Sequence, residues 1–194
     1  MEYTWFENED KTLMFNGFNT RIKNEMYLKA RWNIIKQIDI YPEYRIGNKE
    51  KTEDYATDKN FDISYYYIKS KLSFQNSVKL RTSFEYTYKD FDENITSLVA
   101  RHDKLGLEMV YSIVSRGILT SSINWIKINY NGPVNSPVTY EFFEGYKAGI
   151  NYYWELYLSY NFQSNLVLNI NYNGRKSENS KAIHTGNINL RYIF

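Results

Sequence analysis

Along most of this chain, apolar and polar side chains alternate with a period of two, and the alternation restarts repeatedly from about residue 20 to the C-terminus. A period of two belongs to a strand, because successive Cβ atoms point to opposite faces of a sheet. Ile22, Met26, Leu28, Ala30 and Trp32 alternate with Arg21, Lys23, Glu25, Lys29 and Arg31. Val78, Leu80, Phe84, Tyr86 and Tyr88 alternate with Lys79, Arg81, Ser83, Glu85 and Lys89. Similar runs follow at 38–46, 61–74, 105–113, 152–162, 166–172 and 187–194, with a less regular one at 118–130. Three places break the pattern: Pro42 lacks the N–H a ladder needs, Tyr65, Tyr66 and Tyr67 blur the phase, and Trp125 is out of step with Ile126 and Ile128.

The connections between these strands carry a second constraint. Those near 33–36, 75–77, 115–117 and 163–165 are short, and those near 47–60, 89–97, 131–147 and 174–182 are long. Consecutive antiparallel strands place alternate connections at opposite ends, so one end has tight turns and the other long polar loops. This gives nine strands from residue 20 onward. Single-chain bacterial barrels usually have an even number. Either residues 1–19 supply a tenth strand, around Lys11 to Phe18, or the chain is the C-terminal segment of a larger barrel. Met1 to Trp5 has no basic segment followed by an apolar one, hence no secretory leader, which favours the second alternative.

Alternation would also suit a soluble barrel or sandwich with its apolar face turned inward. The one-sided loops and two aromatic bands favour a membrane wall instead. Trp32, Phe74, Phe162 and Phe194 fall near the tight-turn end, and Tyr44, Tyr88, Tyr130, Tyr152, Trp154 and Tyr172 near the loop end, as interfacial girdles would. The 18% aromatic content fits strands, while a mean hydropathy of -0.59 and the lack of any long apolar run exclude spanning helices. Strands need only one lipid-facing side, so the polar average does not exclude a barrel. A net charge of +2 from interspersed acids and bases argues against nucleic acid as a partner, and the absence of Cys removes thiol chemistry. The expectation is an all-β fold, an antiparallel up-and-down transmembrane β-barrel of about nine to ten strands forming one domain over residues 1–194, in the bacterial outer membrane.

The last run puts Ile188, Leu190, Tyr192 and Phe194 on one face and Asn187, Asn189 and Arg191 on the other. It resembles the C-terminal signature by which the barrel-assembly machinery recognises outer-membrane proteins, which implies that machinery as a partner during insertion and outer-membrane lipid afterwards. Pro137 to Glu141, Gly145-Tyr146, Asn151 to Trp154, Tyr172 to Glu178 and His184 to Gly186 resemble the C-terminal barrel region of large Bacteroidota outer-membrane proteins. That resemblance covers about the last third of the chain. It implies membership of a larger surface chain or assembly, with other outer-membrane or surface subunits as partners and no catalytic residues to carry over.

Outer-membrane barrels include hydrolases, which need converging His, Ser or carboxylate groups. His102 precedes Asp103 near the loop end, but neighbours on a strand point to opposite faces, so the two would meet only if the chain bent there. His184 opens the last strand at the same end. Asp90, Asp92 and Glu93, or Glu53, Asp54 and Asp58, offer oxygen ligands to Ca²⁺ but lack the spacing of a calcium loop, and read as solvated loops. Asn131-Gly132 and Asn173-Gly174 read as turns. The charged face, with Lys23, Glu25, Arg45, Glu85 and Glu108 among others, would either lock across a narrow lumen or line a wider one. The function expected is a non-enzymatic anchor or structural subunit without cofactor or metal; the alternative is a transport barrel for small solutes, and a barrel hydrolase is a third reading.

Overall fold

A computed structural model describes residues 2–14, 17–113, 116–133, 136, 138–163 and 165–192. The strands are β1 (Glu2–Met14), β2 (Gly17–Lys29), β3 (Trp32–Ile35), β4 (Ile38–Glu53), β5 (Phe61–Gln75), β6 (Leu80–Glu93), β7 (Val99–Ile113), β8 (Gly117–Tyr130), β9 (Gly149–Gln163), β10 (Leu166–Ser177) and β11 (Ile183–Tyr192). One short helix, α1 (Thr139–Phe143), lies between β8 and β9. All strand pairs are antiparallel, and the sheet runs up and down from β1 to β11 in chain order, with β3 beside β4. No described helix is long and apolar enough to cross a membrane.

Pro42 explains the extra strand. Lys29 pairs with Glu43 and Trp32 with Ile40 in unchanged register, so β2 and β3 are one strand interrupted opposite Tyr41 and Pro42. Proline offers no N–H there, although its carbonyl still accepts from the Ala30 N–H at 3.1 Å. The expected tenth strand is present as β1, but it spans Glu2–Met14 rather than starting at Lys11, and Phe18 already belongs to β2.

Strands run further into the loop end than expected. β4 continues to Glu53, β6 to Glu93 and β10 to Ser177, which shortens the connections to 54–60, 94–98 and 178–182 and leaves 131–148 as the long one. Asn173-Gly174 is therefore not a turn. Gly174 lies within β10, where the Trp154 ring occupies the space a Cβ would need.

Burial along the wall is inside out relative to a soluble protein. On β6 the exposed Phe84 (56%) is followed by half-buried Glu85 and preceded by Ser83 at 1%. Ile68, Leu72, Phe84, Leu105, Met109, Ile123 and Ile188 are all exposed, while Glu25, Ser73, Ser83 and Thr87 are buried. Water alone cannot favour that arrangement; lipid outside and polar contacts inside can. One hydrogen-bonded row links Ile40, Leu72, Phe84, Leu107, Ile123, Trp154, Gly174 and His184. It starts beside the tight turn after β3 and ends at the loop end of β11, the stagger a tilted barrel wall requires.

Candidate functional site at the occluded loop end

Near the loop end the two faces of the sheet exchange character. Phe61, Ile63, Tyr65, Phe91, Ala100, Ile126 and Ile128 are all buried and share the inward face with the charged residues below them. Ser64, Asp92, Arg101, Lys127 and Asn129 are exposed on the outward face. This resolves both ambiguous stretches of sequence. Tyr65 and Tyr67 point in and Tyr66 out; Trp125 stays with the outward apolar band, whereas Ile126 and Ile128 face an internal core.

The segment after β8 completes that core. Val138, Phe142 and Phe143 come from a single turn of helix and its start, and all three are buried with the inward apolar residues of β5 to β8. Phe142, with 0% exposure, lies 5.7 Å from the Phe91 ring and 5.9 Å from Tyr130, and Phe143 meets Tyr130 edge-on at 5.2 Å. Tyr130, expected in the outer girdle, thus faces inward, because the helix offers it an aromatic surface there. Polar contacts hold the segment in place. The Tyr130 hydroxyl donates to the Pro133 carbonyl at 3.2 Å, and the Asn151 side chain donates to the Lys147 carbonyl at 2.7 Å. Glu144 ends the helix in a left-handed conformation at φ 49°, followed by Gly145 at φ 87°. That turn brings the Glu144 carboxylate to Lys89 at 2.6 Å, and Glu141 reaches Lys49 at 3.2 Å. Burial pushes the Tyr146 hydroxyl above its ordinary range, with the Glu144 carboxylate adding to the effect.

Below this cap the inward charges interlock. Glu25 accepts from Lys23 at 3.1 Å, from Arg45 at 3.5 Å and from the Tyr65 hydroxyl at 2.7 Å. Lys71 pairs with Glu108 at 2.9 Å, and Lys69 and Lys104 share Glu85. Cavities remain between these pairs. One, about 310 Å³, is bordered by Lys29, Lys71 and Arg81 toward the tight-turn end, and others continue past Glu85 and Lys104 to Glu144 and Tyr146, just after the helix.

The individually named residues fall apart as a catalytic set. His102 points inward, is 4% exposed and packs 5.3 Å from the Phe91 ring, while Asp103 points outward and accepts from the Tyr86 hydroxyl at 3.0 Å. His184 is outside, stacked on Tyr172 and 5.6 Å from Trp154. Four of the six acidic candidates have structural partners: Asp54 accepts from the Phe18 N–H, Glu53 pairs with Lys51, Glu93 accepts from the Thr96 N–H, and Asp90 pairs with Arg101. Among the described residues no group of His and carboxylates is arranged to hold a metal. Ile188, Leu190 and Tyr192 share the outward face of β11 as expected; Phe194 lies outside the described residues.

No family model and no curated protein matches the chain. Solved structures do. OmpT of Vibrio cholerae superposes with a TM-score of 0.62 at 11% identity, over 98% of this chain and 63% of that one. The NanC porin superposes with a TM-score of 0.52 at 10% identity, over 99% of this chain and 94% of that one. The fold is that of an outer-membrane β-barrel. At such identities the likeness speaks for architecture alone, and the chain spans less than two thirds of the length of Vibrio cholerae OmpT. The apolar outer face and these neighbours agree on the bacterial outer membrane as its location.

The helical cap was missed in the sequence, where 131–147 reads as a polar loop. Its signal was the apolar trio Val138, Phe142 and Phe143, together with apolar residues in the inward phase at Phe61, Ile63, Ile126 and Ile128.

Proposed function

We propose that this chain is a non-conducting, non-enzymatic barrel that anchors or forms a structural subunit of a surface-exposed outer-membrane assembly. One observation carries the reading: Val138, Phe142 and Phe143 turn into the loop-end mouth and pack an apolar core there, with Phe142 fully buried. A passage for solutes would gain nothing from a desolvated aromatic seal, whereas a rigid platform would. The separation of His102 from Asp103 supports the absence of hydrolysis. The resemblance to the barrel regions of large Bacteroidota proteins supports a partner at the loop end, where the exposed Tyr140 sits on the outer surface of the cap. Ile188, Leu190, Tyr192 and Phe194 are assigned the role of assembly signal for the barrel-insertion machinery. The chain refolded into a planar bilayer is expected to give no steady current. Stable unitary conductance from the intact chain would replace this reading with the transport one, which the string of internal cavities favours.

A further inference from the structure

Beside the turn that follows α1 lies a cavity of about 150 Å³, several times the space one water requires. Its wall is inward-facing sheet plus the turn after α1, with Lys69, Glu85, Lys89, His102, Lys104 and Glu144 among its residues. Lys89 has Glu144 at 2.6 Å, but Lys69 and Lys104 both lean on Glu85, at 2.9 and 3.1 Å. Three ammonium groups thus border the chamber against two carboxylates, with Glu155 bordering the adjoining cavity beside Lys104. A second polar deficit is independent of that count. His102 is buried, and its Nε2 has no hydrogen-bond partner, a costly state for a ring nitrogen shut away from water. Tyr67 and Tyr146 add hydroxyls to the same wall.

We infer that this chamber is a binding site for one small oxyanion, a carboxylate or phosphate group held between Lys69, Lys104 and His102. The anion gives the two lysines that share Glu85 a second acceptor, and its oxygens accept from the lysines, from the tyrosine hydroxyls and from His102 Nε2 in the tautomer that carries the ring proton there. Charge-assisted bonds of this kind are stronger than neutral ones. The turn that ends the helix contributes Glu144 to the same chamber, so occupancy and docking of the cap bear on the same residue. The site does not depend on whether the barrel conducts.

The test uses the full chain refolded in detergent micelles and the ring resonances of its two histidines, one inside and one outside. Sodium phosphate and sodium acetate are each titrated against sodium chloride at constant ionic strength. The expected result is a saturable shift of the His102 resonance with at least one oxyanion, while His184 stays still, and whichever anion binds tighter identifies the source. Lys104→Gln is expected to weaken that affinity at least tenfold and Lys104→Arg to restore most of it. Lys127→Gln, on the outer face, should leave it unchanged. Heat-modifiable migration confirms that each variant is folded; should Lys104→Gln fail to fold, Lys69→Gln takes its place. Absence of saturation with either oxyanion, equal saturation with chloride, equal shifts at both histidines, or affinity unaffected in the folded lysine variant would overturn the proposal.

Discussion

The two halves of the same strands obey opposite rules. Toward the tight turns Leu72, Phe84 and Leu107 face out while Ser73, Ser83 and Glu108 face in; toward the loops Ile63, Phe91 and Ile128 face in while Ser64, Asp92 and Asn129 face out. The backbone pairing is continuous across the change, so the ladder is indifferent to it. What differs is the solvent outside the wall. Where it is lipid, exposed apolar groups cost little and the interior is free to hold ion pairs. Where it is water, the ordinary rule returns and apolar groups seek an interior, which the inward-folded cap makes dry. The boundary between the halves lies near Tyr66 and Tyr88, whose hydroxyls both donate to Asp90 at 3.2 Å.

The contrast can be broken first at its most buried point. Phe142→Ala is expected to cost the docking of the cap about 3–5 kcal/mol, the usual range for emptying a phenylalanine site. Limited proteolysis within 131–148 should then accelerate sharply, and the planar-bilayer recording should acquire current, while heat-modifiable migration of the barrel is retained. Intact resistance of the loop in this variant would show that the apolar core does not hold it.

Phe84→Arg probes the other half. A cation at mid-height on the lipid face is expected to destabilise the barrel by about 2–4 kcal/mol, and an arginine near the interface by about 0–1. Urea unfolding in liposomes should therefore show a large loss for Phe84→Arg and a small one for Asn129→Arg, both of which point outward. Equal losses at the two positions would remove the boundary drawn here. Phe84→Ala sharpens the comparison with Phe142→Ala, since acyl chains can fill the space left by a truncated outward side chain.

The smallest effect belongs to the polar tethers. Lys49 and Glu141 are both partly exposed, so Glu141→Gln is expected to weaken cap docking by no more than about 1 kcal/mol. The difference in proteolysis rate between this variant and the parent should shrink as salt is added. A salt-independent loss rivalling that of Phe142→Ala would mean that ion pairs, not aromatic burial, close the mouth.

Much of the wall was legible because a period of two and the positions of turns are local properties. Leu80, Phe84 and Tyr86 against Arg81, Ser83 and Glu85 assign one strand and both its faces without reference to any neighbour. Pro42 likewise announced a defect in the ladder, which appears as the nick between β2 and β3. The loop-end core was not legible, because its members come from β5, β6, β7, β8 and α1, and each breaks the local rule only slightly. Tyr65 lay in a blurred stretch, and Trp125 looked out of step with Ile126 and Ile128, until the core around Phe142 supplied the inward surface that Tyr65, Ile126 and Ile128 share. Gly174 misled for a similar reason: its neighbour Asn173 suggests a turn, but Trp154 on the adjoining strand requires a residue without a side chain.

The sequence by itself determined an all-β, up-and-down wall with one charged face, since alternation and the rhythm of short and long connections depend on residues close together in the chain. Only the tertiary structure decided which solvent each stretch of that wall meets, that the short helix before β9 turns inward, and that Lys69 and Lys104 converge on a single Glu85. Those outcomes depend on which strands stand side by side and how far they are staggered, and that stagger sets contacts among residues that lie far apart in the chain.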